Sequence, residues 1–138
     1  AAGIATLNEI IDQDLPAQAA KKGEDFLTSL RFLAAKYPMI KEVRGLGLLI
    51  GIEFNSDDLI GKAAYDFIGS LVVGELFNRF HIVTAYTLNN PTVVRFEPAL
   101  NIEIEKLDYV VDSLDQVLKA NKSNWKLLGS TVRNFISR

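Results

Sequence analysis

The sequence predicts one mixed α/β domain in which helices cover a small sheet. Three observations carry this. Two helical periodicities fill the chain before Pro38, an apolar run punctuated by glycines follows from Val43 to Phe54, and a β-branched stretch after an Asn-Asn-Pro turn leads into a strongly amphipathic helix. At 138 residues, 49% hydrophobic and 23% charged, the chain is long enough to bury a single core of its own.

Taken in order, Ile4, Leu7, Ile10 and Ile11 share one face of a helix over 3–11. The stretch from Asp12 to Leu15 interrupts it, and Pro16 then suits the first turn of a second helix, where its missing N–H costs nothing. That helix runs to about Tyr37, with Ala20, Gly23, Leu27, Leu30, Ala34 and Tyr37 as its buried stripe, and Pro38 ends it. The Leu- and Ile-rich run through Ile52 and Phe54 reads as one buried strand. Asp57 or Asp58 caps a further helix over about 59–77, which contains two weakening glycines, Gly69 and Gly74. Residues 81–87 and 92–96 read as short strands around the turn at Leu88 to Pro91, able to pair as a hairpin. The helix over about 103–120 presents Leu107, Val110, Val111, Leu114, Val117 and Leu118, and a short helix in 121–138 closes the order α-α-β-α-β-β-α-α. There is no repeat, low-complexity stretch or linker, so one domain over 1–138 is expected.

Several function classes are excluded or demoted at this level. The longest mainly apolar run, Leu46 to Ile52, falls far short of the roughly 18–20 residues a membrane-spanning helix requires. Fifteen Lys and Arg against 17 Asp and Glu give a net charge of -2 without a cationic cluster, so neither nucleic acid nor a membrane is an expected partner. With no cysteine there is no disulfide, thiolate nucleophile or sulfur-bound metal, a pattern that suits a reducing cytoplasm. A single histidine leaves little room for metal or triad chemistry, and no metal site is expected. The first residues, Ala-Ala-Gly-Ile-Ala, read as if continued from a longer polypeptide.

Each candidate site has a plainer structural reading. Gly45, Gly47 and Gly51 resemble a phosphate loop only in spacing, because they open a strand instead of following one; a tight turn and close backbone approach are favoured. His81 lacks a Ser, Cys or carboxylate nearby and reads as a surface or capping residue. Glu103, Glu105 and Asp108 gather where a helix N-terminus favours negative charge, and Trp125 and Phe135 read as packing. Arg95 differs. It sits between Val94 and Phe96 on the opposite strand face, so its guanidinium serves either a structural ion pair with Glu97 or a substrate carboxylate gripped by its planar fork.

Three segments in order resemble the C-terminal region of class III, ornithine-transaminase-type aminotransferases. They are Val43-Arg44-Gly45-Leu46-Gly47-Leu48-Leu49-Ile50-Gly51-Ile52-Glu53, Thr92-Val93-Val94-Arg95-Phe96-Glu97-Pro98-Ala99-Leu100, and the helix that follows. Asp14 to Ala19 and Thr87 to Asn90 look most like the putrescine aminotransferases of that family. The resemblance spans about residues 1–120 and implies the small domain of a fold-type-I enzyme dependent on pyridoxal phosphate. Residues 1–16 would be a helix leading out of a large domain, 17–120 a core with a three-stranded sheet covered by helices, and 121–138 a helical extension.

The resemblance also implies a role for Arg95, since the matching arginine of the family holds a carboxylate of the amino or oxo acid. In the family, the lysine that receives the cofactor and the residues that hold its ring and phosphate lie upstream of the matched region. None of Lys21, Lys22, Lys36, Lys41, Lys62, Lys106, Lys119, Lys122 or Lys126 stands in a segment resembling the lysine motif. The expectation is therefore a part of a homodimeric enzyme moving an amino group from a diamine or ω-amino donor to 2-oxoglutarate, inactive without its N-terminal large domain and without a covalent cofactor or catalytic residue of its own. A stand-alone interaction or amino-acid-binding module with the same fold is the alternative.

Overall fold

The structure is a computed structural model, and it describes residues 2–55 and 67–121. Within these, α1 (Ala2–Asp12) and α2 (Leu15–Lys36) lead into β1 (Ile40–Leu46) and β2 (Leu49–Phe54); α3 (Ile68–Phe80), β3 (Ala85–Tyr86), β4 (Val93–Phe96) and α4 (Ile104–Asn121) follow. The four strands form one antiparallel sheet in the order β1-β2-β4-β3. The mixed α/β class is as expected. The beginning of the helix expected over 59–77 and the tail after Asn121 lie outside the described residues.

The expected three-stranded sheet has four strands because the run from Ile40 to Phe54 folds back on itself. Gly47 occupies the first position of a two-residue turn between Leu46 and Leu49 with φ 54°, a left-handed value that a β-branched or bulky residue resists. Its carbonyl lies so close to α2 that a Cβ at Gly23 would collide with it. Apolar continuity alone did not mark this reversal; the glycine did.

A bulge in β1 explains how the hairpin buries one face. Ile40 pairs with Phe54 and Glu42 with Glu53, so Lys41 is an extra residue on its strand. Ile40 and Val43 can thus both face the helices although they are three apart. Together with Ile50, Ile52, Val94 and Phe96 they meet Leu30 of α2, Val72 and Leu76 of α3, and Leu114, Val117 and Leu118 of α4 in one core. Phe26 and Phe96 seal part of this layer edge to face, with ring centroids 6.0 Å apart.

Helix boundaries follow local chemistry. Pro16 lies in the first turn of α2, and Tyr37, extended because Pro38 follows, ends it while its N–H reaches Leu33 O at 2.8 Å. The stripe of α2 is rotated from the expected one: Ala19, Phe26 and Leu33 are buried with Gly23, Leu27 and Leu30, whereas Ala20 is exposed. In α4, Leu107, Leu114, Val117 and Leu118 are buried and Val110 and Val111 partly so, as the periodicity indicates. Residues 81–84 are not a strand. His81 takes the left-handed conformation at the end of α3 and its N–H donates to Phe77 O at 3.0 Å, a capping role. No described helix is long and apolar enough to cross a membrane.

Candidate functional site

One face of the sheet carries the helices, and strand alternation sends the other set of side chains away from them. Arg95 belongs to this second set. Its register partners are Gly51 on β2 and Ala85 on β3, the two smallest side-chain types, so the guanidinium is flanked by low ground on both sides. The backbone at Arg95 is well held: its carbonyl accepts a hydrogen bond from the Thr84 hydroxyl. A turn fixes the entry to β4, where the Thr92 hydroxyl donates to Asn90 Oδ1 at 2.6 Å and the Thr87 hydroxyl to Asn90 O at 2.6 Å. The Arg95 guanidinium, 46% exposed, meets Glu97 through Nη1 and Oε1 at 3.2 Å. Of the two roles read from the sequence, the ion pair with Glu97 is present, and it is half in solvent.

A second charged group shares this face and was not singled out in the sequence. Arg44 also pairs with Gly51, from the β1 side, which places Arg44 and Arg95 about 10 Å apart across one intervening strand. Arg44 Nη1 donates to Glu42 Oε2 at 2.6 Å and to Glu53 Oε2 at 2.7 Å, while Lys41 Nζ donates to Glu53 Oε1 at 2.7 Å. The hydrogen bonds from Lys41 and then Arg44 hold the Glu53 carboxyl below the usual carboxylate range, against the opposing effect of its burial. Glu53 in turn holds the Arg44 guanidinium more firmly protonated. Arg44 thus meets two carboxylates through Nη1, and Arg95 meets one. The alternation of Glu42 with Arg44 was the available signal, but it acquires meaning only when β2 places Glu53 beside it.

The remaining candidates take their structural readings. Gly47 serves a turn, His81 caps α3, and Glu105 stands in the first turn of α4 where the helix dipole favours it. Among the described residues no group of acidic or histidine side chains is placed to hold a metal ion. Trp125 and Phe135 lie outside the described residues. A cleft of about 170 Å³ opens between α2, α4 and the segment after β4, lined mainly by Phe26, Phe96, Pro98, Ile102, Leu107 and Val110.

A pyridoxal cofactor needs an amine able to attack its aldehyde, a cradle for its phosphate and a carboxylate for its ring nitrogen. The described residues do not assemble these. Lys22 donates to Ile102 O at 2.8 Å, Lys36 to Asp115 at 2.6 Å and Lys41 to Glu53, while Lys21, Lys106 and Lys119 stand exposed on helices. The cleft is lined by no lysine.

Comparison with known proteins agrees with this architecture. Residues 1–118 match the family model described as Aminotransferase class-III. Among solved structures, an ornithine aminotransferase from Toxoplasma gondii is 29% identical with a TM-score of 0.72, over 89% of this chain and 27% of that one. A PLP-bound amine transaminase from an uncultivated Pseudomonas species is 26% identical with a TM-score of 0.72, over 85% and 26%. An acetylornithine aminotransferase from Elizabethkingia anophelis is 26% identical with a TM-score of 0.69, over 85% and 27%. The chain spans about a quarter of the length of these structures. Class III aminotransferases depend on pyridoxal phosphate, and with its sheet, helices and matched residues this chain belongs to the class III aminotransferase family.

Proposed function

We propose that this chain is the C-terminal small-domain part of a cytoplasmic, homodimeric class III aminotransferase. In this reading residues 17–120 are the small-domain core and 1–16 the helix that joins it to a large domain. The reaction passes an amino group from a diamine or ω-amino donor, putrescine being the expected one, to 2-oxoglutarate. The observation that carries the proposal is Arg95 on the open sheet face between Gly51 and Ala85. Bound pyridoxal phosphate would supply the electron sink for amino transfer. The residues of this chain bind and orient the acid: the guanidinium of Arg95 accepts a carboxylate through its planar fork, and the domain excludes water from the reacting centre. Because no described lysine is set in a cofactor cradle, the chain by itself is proposed not to transaminate.

The test joins the chain to the large domain of its enzyme and compares Arg95 with Arg95→Ala in the two half-reactions. A charge-assisted contact of about 1.5–3 kcal/mol corresponds to a roughly 10- to 150-fold loss of affinity for 2-oxoglutarate. An unchanged affinity for both amino and oxo acid refutes the carboxylate role.

A second reading is favoured by α1. It has no buried residue, and Ile4, Leu7 and Ile11 are 66%, 59% and 72% exposed along one side. This stripe suits the joining helix of the first reading and equally a self-associating module that binds an amino acid. Sedimentation of the chain with and without the large domain separates the two: a module forms its oligomer alone, whereas a small domain is completed by the large one.

A further inference from the structure

We infer that Thr84 is a positioning residue of the Arg95 site: its hydroxyl holds the backbone from which the guanidinium reaches the open sheet face. The inference rests on the carboxylate role proposed for Arg95.

Arg95 lies where the sheet is thinly supported on one side. β3 is the edge strand of the order β1-β2-β4-β3 and consists of Ala85 and Tyr86 alone, so the ladder beside Arg95 ends at Ala85. The residues before Ala85 are not strand, yet Thr84 still reaches β4: its hydroxyl donates to the carbonyl oxygen of Arg95 itself. A carbonyl oxygen has two lone pairs, so it can take this bond beside one from the ladder. The end of α3 delivers Thr84 to that place. His81 turns the chain in the left-handed conformation, the Ile82 N–H donates to Leu76 O at 3.1 Å, and Ile82 packs against the core. On the other side of β3 the Thr87 N–H donates to Val93 O at 2.9 Å. The short edge is thus fastened to β4 at both ends, and at Arg95 the fastening is a side chain.

The guanidinium has little else to set its direction. It is about half exposed and meets Glu97 at 3.2 Å, and an exposed pair of this kind contributes little. A long side chain magnifies any rotation of its own peptide, whereas two parallel hydrogen bonds to a carboxylate require a fixed plane. Holding the Arg95 carbonyl restrains that rotation before an acid arrives, which lowers the ordering cost of binding. Thr84 touches neither the acid nor the reacting atoms, so its contribution belongs to acid affinity and not to the rate at saturation.

The experiment uses the complete enzyme with Thr84→Val, which keeps the shape and deletes the donor, Thr84→Ser, which keeps the donor, Arg95→Ala, and Thr84→Val combined with Arg95→Ala. It measures the apparent affinity for 2-oxoglutarate and the limiting rate of its half-reaction. Thr84→Val is expected to weaken 2-oxoglutarate by about 2- to 10-fold, the scale of one neutral hydrogen bond, with the limiting rate kept. Thr84→Ser is expected to retain most of the parent affinity. In the Arg95→Ala background Thr84→Val is expected to add no further loss. Thr84→Ala deletes the same donor and serves if Thr84→Val fails to fold. If Arg95→Ala leaves acid affinity intact, the carboxylate role falls and the inference with it. The inference alone is overturned if Arg95→Ala weakens the acid but loss of the Thr84 hydroxyl leaves affinity unchanged, lowers the limiting rate as well, is matched by Thr84→Ser, or costs as much without Arg95 as with it.

Discussion

Tyr37 and Asp115 fasten the end of α2 to α4: the phenolic hydroxyl donates to Asp115 Oδ1 at 2.9 Å. The same carboxylate oxygen accepts from Lys36 Nζ at 2.6 Å. The Tyr37 ring is itself buried, so one side chain joins the core to a polar clasp at its rim. The Asp115 carboxyl is held below its usual range by the hydrogen bond from Lys36, with a smaller contribution from Tyr37, against partial burial.

Removing the hydroxyl tests the clasp. Tyr37→Phe keeps the ring and deletes the donor, and is expected to cost about 1 kcal/mol of stability by urea unfolding. In an Asp115→Ala background the same change is expected to cost measurably less, because its partner is already gone.

Acid is expected to loosen the fold through Glu53 and Asp115. Both carboxyls titrate lower in the folded chain than their ordinary values of 4.5 and 3.8. A depressed carboxyl contributes stability that is complete above its unfolded pKa and is lost as pH falls through the folded one. The urea midpoint should therefore hold steady on descent toward pH 5 and fall below about pH 4.5, more gently in Glu53→Gln than in the parent.

Gly23→Ala probes the approach of α2 to the β1-β2 turn. The new methyl would strike the Gly47 backbone, which cannot swing aside as a side-chain tip can. A loss of about 1–3 kcal/mol in thermal or urea unfolding is expected, despite the better helix propensity of alanine.

Gly51→Ala separates binding from stability at the candidate site. A methyl there would meet Val93 Cγ1 at an ordinary 3.4 Å, so the fold should be kept, with stability unchanged or raised by about 0.4–1 kcal/mol. It would nevertheless raise the ground beside Arg95. In the complete enzyme a several-fold loss of 2-oxoglutarate affinity with an intact unfolding midpoint is the expected result.

Periodicity located the helices well because it is a local property. The face of α4 and the proline-bounded span of α2 follow from spacing, and the surface or capping reading of His81 agrees with its exposed place at the end of the α3 helix. The β1-β2 hairpin was not legible in the same way. The stretch from Leu46 to Ile52 is apolar across the turn, so the run looks continuous, and the left-handed Gly47 marks the reversal. Likewise the spacing puts Ala20 in the stripe of α2, whereas tertiary packing rotates that stripe toward Ala19 and Phe26, because the sheet selects which side of the helix it covers.

Arg95 and the neighbouring Glu97 were visible by themselves, since two residues of spacing put both on one strand face. Their surroundings were not. Gly51 and Ala85 lie far from Arg95 in the chain and reach it only through antiparallel register, and Glu53 joins Arg44 by the same route. The sequence by itself determined the class of the fold, the face of α4 and the arginine that stands out. The pairing of strands decided that Arg44 meets two carboxylates and that Arg95 lies between Gly51 and Ala85, because register is set by backbone hydrogen bonds and burial between distant segments.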